Sequence, residues 1–248
     1  MNTSQIVIIL VVTVAASLLK SVTGLGYPMI LVPALALFID VADAVVVVAP
    51  STLVLNIRLT WAEREHRSEA RTLTPFLLAG AVGAIVGTAL LPVLPERILG
   101  FAIVGIVALF VANYLGAGPP IPSGPSSDRL APVIGVFAGI LGGATGIAGP
   151  LVSPWFLSRR LDPGPFILAV TGTFALTGTT QLILIVIQGL FTSSLLLVSL
   201  LMVPIALVVF PIGVALRRRL PVKDFEKLVI AVLATSAVLL LVRLLLGS

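Results

Sequence analysis

Thr23-Gly24-Leu25-Gly26-Tyr27-Pro28, with its second copy Thr145-Gly146-Ile147-Ala148-Gly149-Pro150, is the stretch whose reading decides the fold of this chain. Each copy interrupts an apolar run. Glycine loosens a helix through backbone entropy, and proline removes a donor and clashes with the preceding turn. The register extends past the motif: Asp40 lies twelve residues after Pro28, and Asp162 lies twelve after Pro150. In a hydrocarbon layer, backbone groups freed by such a break are tolerated only where protein buries them or a wet cavity meets them. A break duplicated at corresponding places of two halves therefore points to the binding site of a transporter.

Composition places the motif in a membrane. The 248 residues are 58% hydrophobic and only 10% charged, with a mean hydropathy of +1.21, against about 25% charged in ordinary soluble domains. Apolar runs long enough for a hydrocarbon core of about 30 Å recur along the chain. The formal net charge of +5 gathers near helix ends. Nucleic acid wants a continuous basic face, so it is not an expected partner; the lipid bilayer is. Cysteine is absent and the single histidine, His66, sits in a charged loop, so no disulfide, metal site or cofactor is expected. Residues 6–19 are apolar but lack the preceding lysine or arginine of a secretory signal, and they read as the first membrane element.

Turn signals divide the chain into two similar halves. Residues 1–115 form the first, with a broken hairpin at 4–38 (pieces 4–20 and 27–38) and helices at about 43–61, 73–92 and 97–115. A Gly/Pro/Ser-rich linker, 116–130, follows. Residues 131–248 repeat the plan, with a hairpin at 131–160 (pieces 131–144 and 150–158) and helices at about 164–188, 193–216 and 225–246. Leu94-Pro95 matches Leu220-Pro221.

Loop charge orients the halves. Arg64, His66, Arg67 and Arg71 crowd one loop of the first half, while its counterpart, Gln188 to Thr192, is uncharged. At the next turn the asymmetry reverses, with Arg97 alone against Arg217, Arg218, Arg219, Lys223 and Lys227. Lysine and arginine bias short loops to the cytoplasm, so the halves are expected to be inverted repeats with both termini outside. The stretch between the linker and the Arg159-Arg160-Leu161-Asp162 turn then enters and leaves on one side. It has about 30 residues, against about 40 for two crossings. A re-entrant hairpin with its tip at the break fits. The expected fold class is an all-α polytopic membrane protein, each half a broken re-entrant hairpin plus three transmembrane helices.

The breaks supply the first site candidates: Thr23, Gly24 and Gly26 in one copy, Thr145, Gly146 and Gly149 in the other, with Pro28 and Pro150 as structural breakers. A half-helix starting after each break aims its unpaired amides and positive dipole end at the cavity, which suits an anion. Glycines also allow close helix packing, and that reading is adequate for Gly83/Gly87 and for Gly135/Gly139/Gly143. Lys20, beside Ser21, ends an apolar run just before the first break. It either offers an anion its ammonium group or snorkels to an interface; Gly142 stands at the equivalent place in the second half. Asn56, Thr177 and Gln181, with Ser51, Thr52 and Thr180, are polar residues beside the breaks, able to line the cavity or to bond helix to helix; Ser51, Thr52 and Asn56 correspond roughly to Thr173, Phe174 and Gly178. Asp43 and the Asp162-Pro163 pair read as helix starts, and Trp61 and Trp155 as interfacial aromatics.

Gly24-Leu25-Gly26-Tyr27-Pro28 and Gly142-Gly143-Ala144-Thr145-Gly146-Ile147-Ala148-Gly149-Pro150, together with the two-half plan and the length, resemble the sulfite exporter TauE/SafE family, also called the toluene-sulfonate uptake permease family. The resemblance spans essentially the whole chain. It implies a multi-pass protein of the bacterial or archaeal cell membrane that moves sulfite, an organosulfonate or a related sulfur-containing anion, with Gly24, Gly26, Pro28, Gly142, Gly143, Gly146, Gly149 and Pro150 as its characteristic positions. The expected function is a secondary transporter, an exporter by that resemblance, working by alternating access; an anion channel, or a permease for another small anion such as a carboxylate, is the alternative. No Gly-x-x-x-x-Gly-Lys-Ser/Thr loop couples it to ATP. Absent acid/base pairs deep in the helices speak against an enzyme. The small-residue patterns allow a homodimer.

Overall fold

The computed structural model describes residues 3–23, 26–67, 73–118, 129–217 and 222–246. Gly24, Arg71, Arg218, Arg219 and most of the 116–130 linker lie outside the described residues, as do the side chains of Thr23, Lys223 and Lys227. Among the described residues the chain is helical with no strand. The ten α-helices are α1 (Thr3–Thr23), α2 (Tyr27–Leu35), α3 (Val41–Ala62), α4 (Thr74–Leu90), α5 (Glu96–Tyr114), α6 (Ala131–Thr145), α7 (Gly149–Leu157), α8 (Pro163–Ile187), α9 (Ser193–Arg217) and α10 (Val222–Leu246). Helices α3, α5, α8 and α9 are each long and apolar enough to cross a membrane. Their outward faces carry residues such as Ile187, Leu200 and Val208, all more than half exposed. A soluble protein does not leave such a surface to water; lipid accommodates it.

Helices α2 and α7 have nine residues each. At 1.5 Å per residue that is about 14 Å, half a hydrocarbon layer. Both follow a glycine with positive φ, Gly26 at 92° and Gly146 at 73°, a backbone that L side chains adopt only with strain. Both carry proline in the first turn, where a missing N–H costs nothing. Each copy of the motif thus places a left-handed glycine between a long helix and a short one, though at different positions: Gly26 corresponds to Ala148, whose φ is −117°.

Asp40 and Asp162 occupy the N-cap positions of α3 and α8, both in extended conformation, with no side-chain cap hydrogen bond at either. Asp43 is not a cap; it lies in the first turn of α3, because the helix begins at Val41. Trp61 is exposed, as an interfacial aromatic would be, but Trp155 is not: it is 1% exposed. Its ring stacks on Phe76 at 6.0 Å between centroids, with the Arg159 guanidinium 4.4 Å above it. The short α7 is packed into protein, so its aromatic never reaches an interface.

Packing interleaves the halves. The most intimate pair is α4 with α6, where a Cβ built on Gly83, Gly87, Gly135, Gly139 or Gly143 would fall 2.0–2.6 Å from a carbonyl oxygen of the facing helix. Glycines here serve packing, the geometry of small-xxx-small contacts. The counterpart is α1 with α9, where Thr13, Ser17 and Ser21 replace the α6 glycines and turn their hydroxyls back onto carbonyls of α1. Other pairings come in exchanged sets: α3 with α9 and α8 with α4, α2 with α10 and α7 with α5, while α3–α8 and α5–α10 are their own counterparts. Two cores result. The smaller is built by α4, α6, α7 and α8 around Phe76, Val152, Trp155 and Phe156. The larger draws mainly on α1, α2, α3, α5, α9 and α10, and takes in Ala144 of α6, Ile147 from the second break and Ile185 of α8.

Two arginines repair helix ends and kinks. Arg58 on α3 lies over the Phe210 ring and donates to the Leu207 carbonyl, which lost its helical partner because Pro211 has no N–H. Arg243 on α10 donates to the carbonyls of Ala36 and Ile39 beyond α2, and to Glu96 of α5 at 3.3 Å. Those are carbonyls that no helix satisfies. Arg243→Met is expected to lower stability by about 1–3 kcal/mol, the cost of orphaning buried acceptors, read as a lower thermal midpoint in detergent. Glu96→Gln, which removes only the half-exposed ion pair, should leave it nearly unchanged.

Candidate functional site

The two breaks converge. A cavity of about 50 Å3 lies between them, walled by α1, α3, α6 and α8 and by the starts of α2 and α7, with Phe110 of α5 at its edge. Gly26, Pro28 and Met29 reach it from the first break, and Gly146, Ile147, Ala148 and Gly149 from the second. Both short helices thus present their first turns to one space, although proline removes one amide from each and the Leu151 N–H is already bonded to the Ala148 carbonyl.

The polar groups left free for a ligand come from the first half. The Lys20 Nζ donates to Asn56 Oδ1 at 2.8 Å, with Lys20 1% and Asn56 0% exposed. Lys20 therefore does not snorkel; its ammonium group is buried in protein against Asn56 of α3. The amide nitrogen of Asn56 and the hydroxyl of Thr52 are both buried with no partner in the protein. A lysine ammonium has three donors and the asparagine nitrogen two. Four N–H donors and a hydroxyl thus remain for whatever occupies the cavity. No carboxylate is among the lining residues, and no cluster of metal-ligating side chains occurs among the described residues.

Residues of the second half build the wall. Gln181 lines the cavity, but its Nε2 donates to the carbonyls of Gly142 and Gly143 at 3.2 and 2.9 Å, capping the end of α6. Thr145 is buried and does not line the cavity; its hydroxyl bonds the Leu141 carbonyl at 2.6 Å and receives the Ile147 amide at 3.2 Å. These two residues hold the break in shape. Thr177 lines the cavity while donating to the Thr173 carbonyl. Ser21 faces α9, where a Cβ on Gly213 would strike its hydroxyl. Pro150 is buried behind the wall. Lys20, Gly26, Asn56, Gly142, Gly146, Gly149, Thr177 and Gln181 are thus brought together with Pro28, while Ser21 and Thr145 are not.

Sequence reasoning offers Thr52 as a polar candidate and gives Phe174 and Gly178 only as positional counterparts of Thr52 and Asn56; Ala148, Phe174 and Gly178 have no lining role in it. The signal was present, because a constant offset of 122 residues superimposes the two breaks. It pairs Lys20 with Gly142, Gly26 with Ala148, Thr52 with Phe174 and Asn56 with Gly178, and all eight line the cavity. All are positionally equivalent, and apart from Gly26 and Ala148, both small, they are chemically unlike: where the first half places a donor, the second places a glycine or a ring.

Fold and site together define a polytopic all-α membrane protein with a buried, donor-lined cavity at two helix breaks. A family model described as Sulfite exporter TauE/SafE matches residues 8–240, and the chain belongs to that family of membrane transport proteins. No curated protein and no solved structure matches it.

Proposed function

We propose that this chain is a secondary transporter that carries a small sulfur oxyanion, sulfite or a short organosulfonate, through the cavity between the two breaks. The observation that carries this reading is the lining: an ammonium group, an unpartnered amide nitrogen and hydroxyl, two helix starts, and no acid. Such a set, a cation and free donors with no acid, is complementary to a small anion. A water requires about 10–15 Å3 measured in the same way, so the 50 Å3 of this cavity suits a compact ion better than an aromatic sulfonate.

The exchanged helix pairings and the reversed loop charges support halves related by a two-fold axis in the membrane plane. Because the halves interleave, the bodies that rock are not the halves themselves. One is α4, α6, α7 and α8; the other is built around α1, α2, α3 and α9. The substrate sits where they meet, and exposure alternates as they tilt about it.

Purified protein in liposomes should take up labelled sulfite, thiosulfate or methanesulfonate saturably and show countertransport. A current without countertransport would instead make it a channel, and uptake of small carboxylates alone would overturn the sulfur assignment. The isosteric Asn56→Asp tests the site. A new charge about 5 Å from the anion costs about 3 kcal/mol at an effective permittivity of about 20, so transport should fall roughly a hundredfold. Unchanged transport by a folded Asn56→Asp protein would place the anion elsewhere.

A further inference from the structure

The amide partner of Lys20 leaves its charge uncompensated. Lys20 is the charged residue that lines the cavity, and the oxygen it meets belongs to a neutral side chain. Among the described side chains of the surrounding helices none supplies a counter-ion. Helices α6, α7 and α8 contain no titratable side chain, and α2 contains only Tyr27. On α3 the titratable groups are Asp43 and Arg58. Asp43 is thirteen residues from Asn56, nearly 20 Å along the helix, and Arg58 is engaged by Phe210 and the Leu207 carbonyl. Helix α9 offers only Arg217, at its end. On α5, Glu96 is taken by Arg243, while Arg97 and Tyr114 sit at the helix ends. On α10, Lys223, Asp224, Glu226 and Lys227 lie in the first two turns, with Arg243 near the other end.

A buried ammonium without a counter-charge costs several kcal/mol, and so does a desolvated anion without a cation. Each removes the penalty of the other. Binding of the anion and protonation of Lys20 are therefore thermodynamically linked, each favouring the other by the same factor. The residue opposite fits both states. An asparagine accepts from an ammonium through its oxygen and, with the amide turned over, donates to a neutral amine through its nitrogen. An aspartate would hold the ammonium permanently.

We propose that Lys20 is a proton carrier: each anion crosses together with one proton on Lys20, and the empty cavity reorients with a neutral amine. This rests on the transporter reading. It makes the protein a proton–anion symporter, with a monovalent anion moving electroneutrally. In export the proton leaves with the anion, so outward movement runs down the anion gradient against the usual proton gradient, and an acid interior assists it.

Proton and anion flux should be measured together in proteoliposomes containing a trapped pH dye, with methanesulfonate and thiosulfate as probes, since neither holds a proton near neutral pH. Wild-type protein should move one proton with each anion, and a potassium diffusion potential should leave methanesulfonate uptake unchanged. Apparent affinity should fall by up to tenfold per pH unit as pH rises, the sign required when binding takes up a proton. Lys20→Arg keeps the cation but does not release its proton; it should still exchange anion for anion while net uptake and its proton signal disappear. Anion uptake with no proton movement, or a Lys20→Arg protein with the wild-type proton-to-anion ratio, overturns the coupling and leaves the transporter standing. If neither probe moves or exchanges, the transporter reading falls, and the coupling with it. The wild-type ratio decides the matter even if the variant does not fold.

Discussion

Gly139→Leu is expected to leave almost no folded protein in the membrane. A Cβ at this position would lie 2.0 Å from the Gly80 carbonyl oxygen and 2.8 Å from the Ala84 nitrogen, so even alanine forces the backbones of α4 and α6 apart. Both obstacles are backbone, which no rotamer change can move aside. In lipid the helices gain nothing from hiding apolar surface, and association rests on close packing and interhelical polar contacts. Separating α4 from α6 removes that packing along the whole seam, because Gly83, Gly87, Gly135 and Gly143 approach the partner backbone equally closely. Ordinary overpacking costs about 1–3 kcal/mol, and a clash with main chain on both sides exceeds it. Gly105→Leu is the control. It adds the same side chain to α5 where nothing lies within 4 Å, so it should express and unfold as wild type does. Fluorescence-detected size exclusion of the two variants measures the difference; a monodisperse Gly139→Leu protein with wild-type thermal stability would mean that this seam does not hold the fold.

The helical membrane class and the family were legible from composition and from the two breaks, because a glycine–proline interruption has few other uses inside an apolar run. Legibility failed where tertiary context chose between roles a residue can equally play. Lys20 reads as an anchor or a ligand until the fold buries it against Asn56 of α3. Thr145 and Gln181 look like donors for a ligand, yet the carbonyls left at the end of α6 claim them first, since a helix end inside protein must find partners locally. Trp155 resembles an interfacial aromatic only while α7 is taken for a helix that reaches the surface. The asymmetry of the cavity was legible in part, since Gly142 stands where the other half has Lys20, but which of the paired positions meet at one cavity was not. It exists between positions 122 residues apart, such as Asn56 and Gly178, and neither member announces it alone.

A Thr60→Cys/Thr171→Cys protein is expected to lose transport on oxidation and regain it on reduction. Thr60 on α3 and Thr171 on α8 bond hydroxyl to hydroxyl at 3.2 Å, one on each side of the seam where the proposed bodies meet. The chain contains no cysteine, so every thiol in the double variant is an introduced one. A disulfide closes at Cβ separations of about 3.5–4.5 Å, and two γ-oxygens already in contact put the β-carbons within modest adjustment of that range. If transport requires α3 and α8 to part, one covalent bond at this point should reduce turnover to background, because even a strong hydrogen bond opens thermally and a disulfide does not. Threonine to cysteine keeps the bulk, and each single variant keeps its partner's hydroxyl, so both singles should transport at near wild-type rates with or without oxidant. Substrate should still bind the cross-linked protein from whichever side the locked state exposes, which separates a blocked motion from a damaged site. A fully cross-linked protein that transports at the wild-type rate would place the moving boundary elsewhere and return the two halves, rather than the interleaved bundles, to consideration as the rocking bodies.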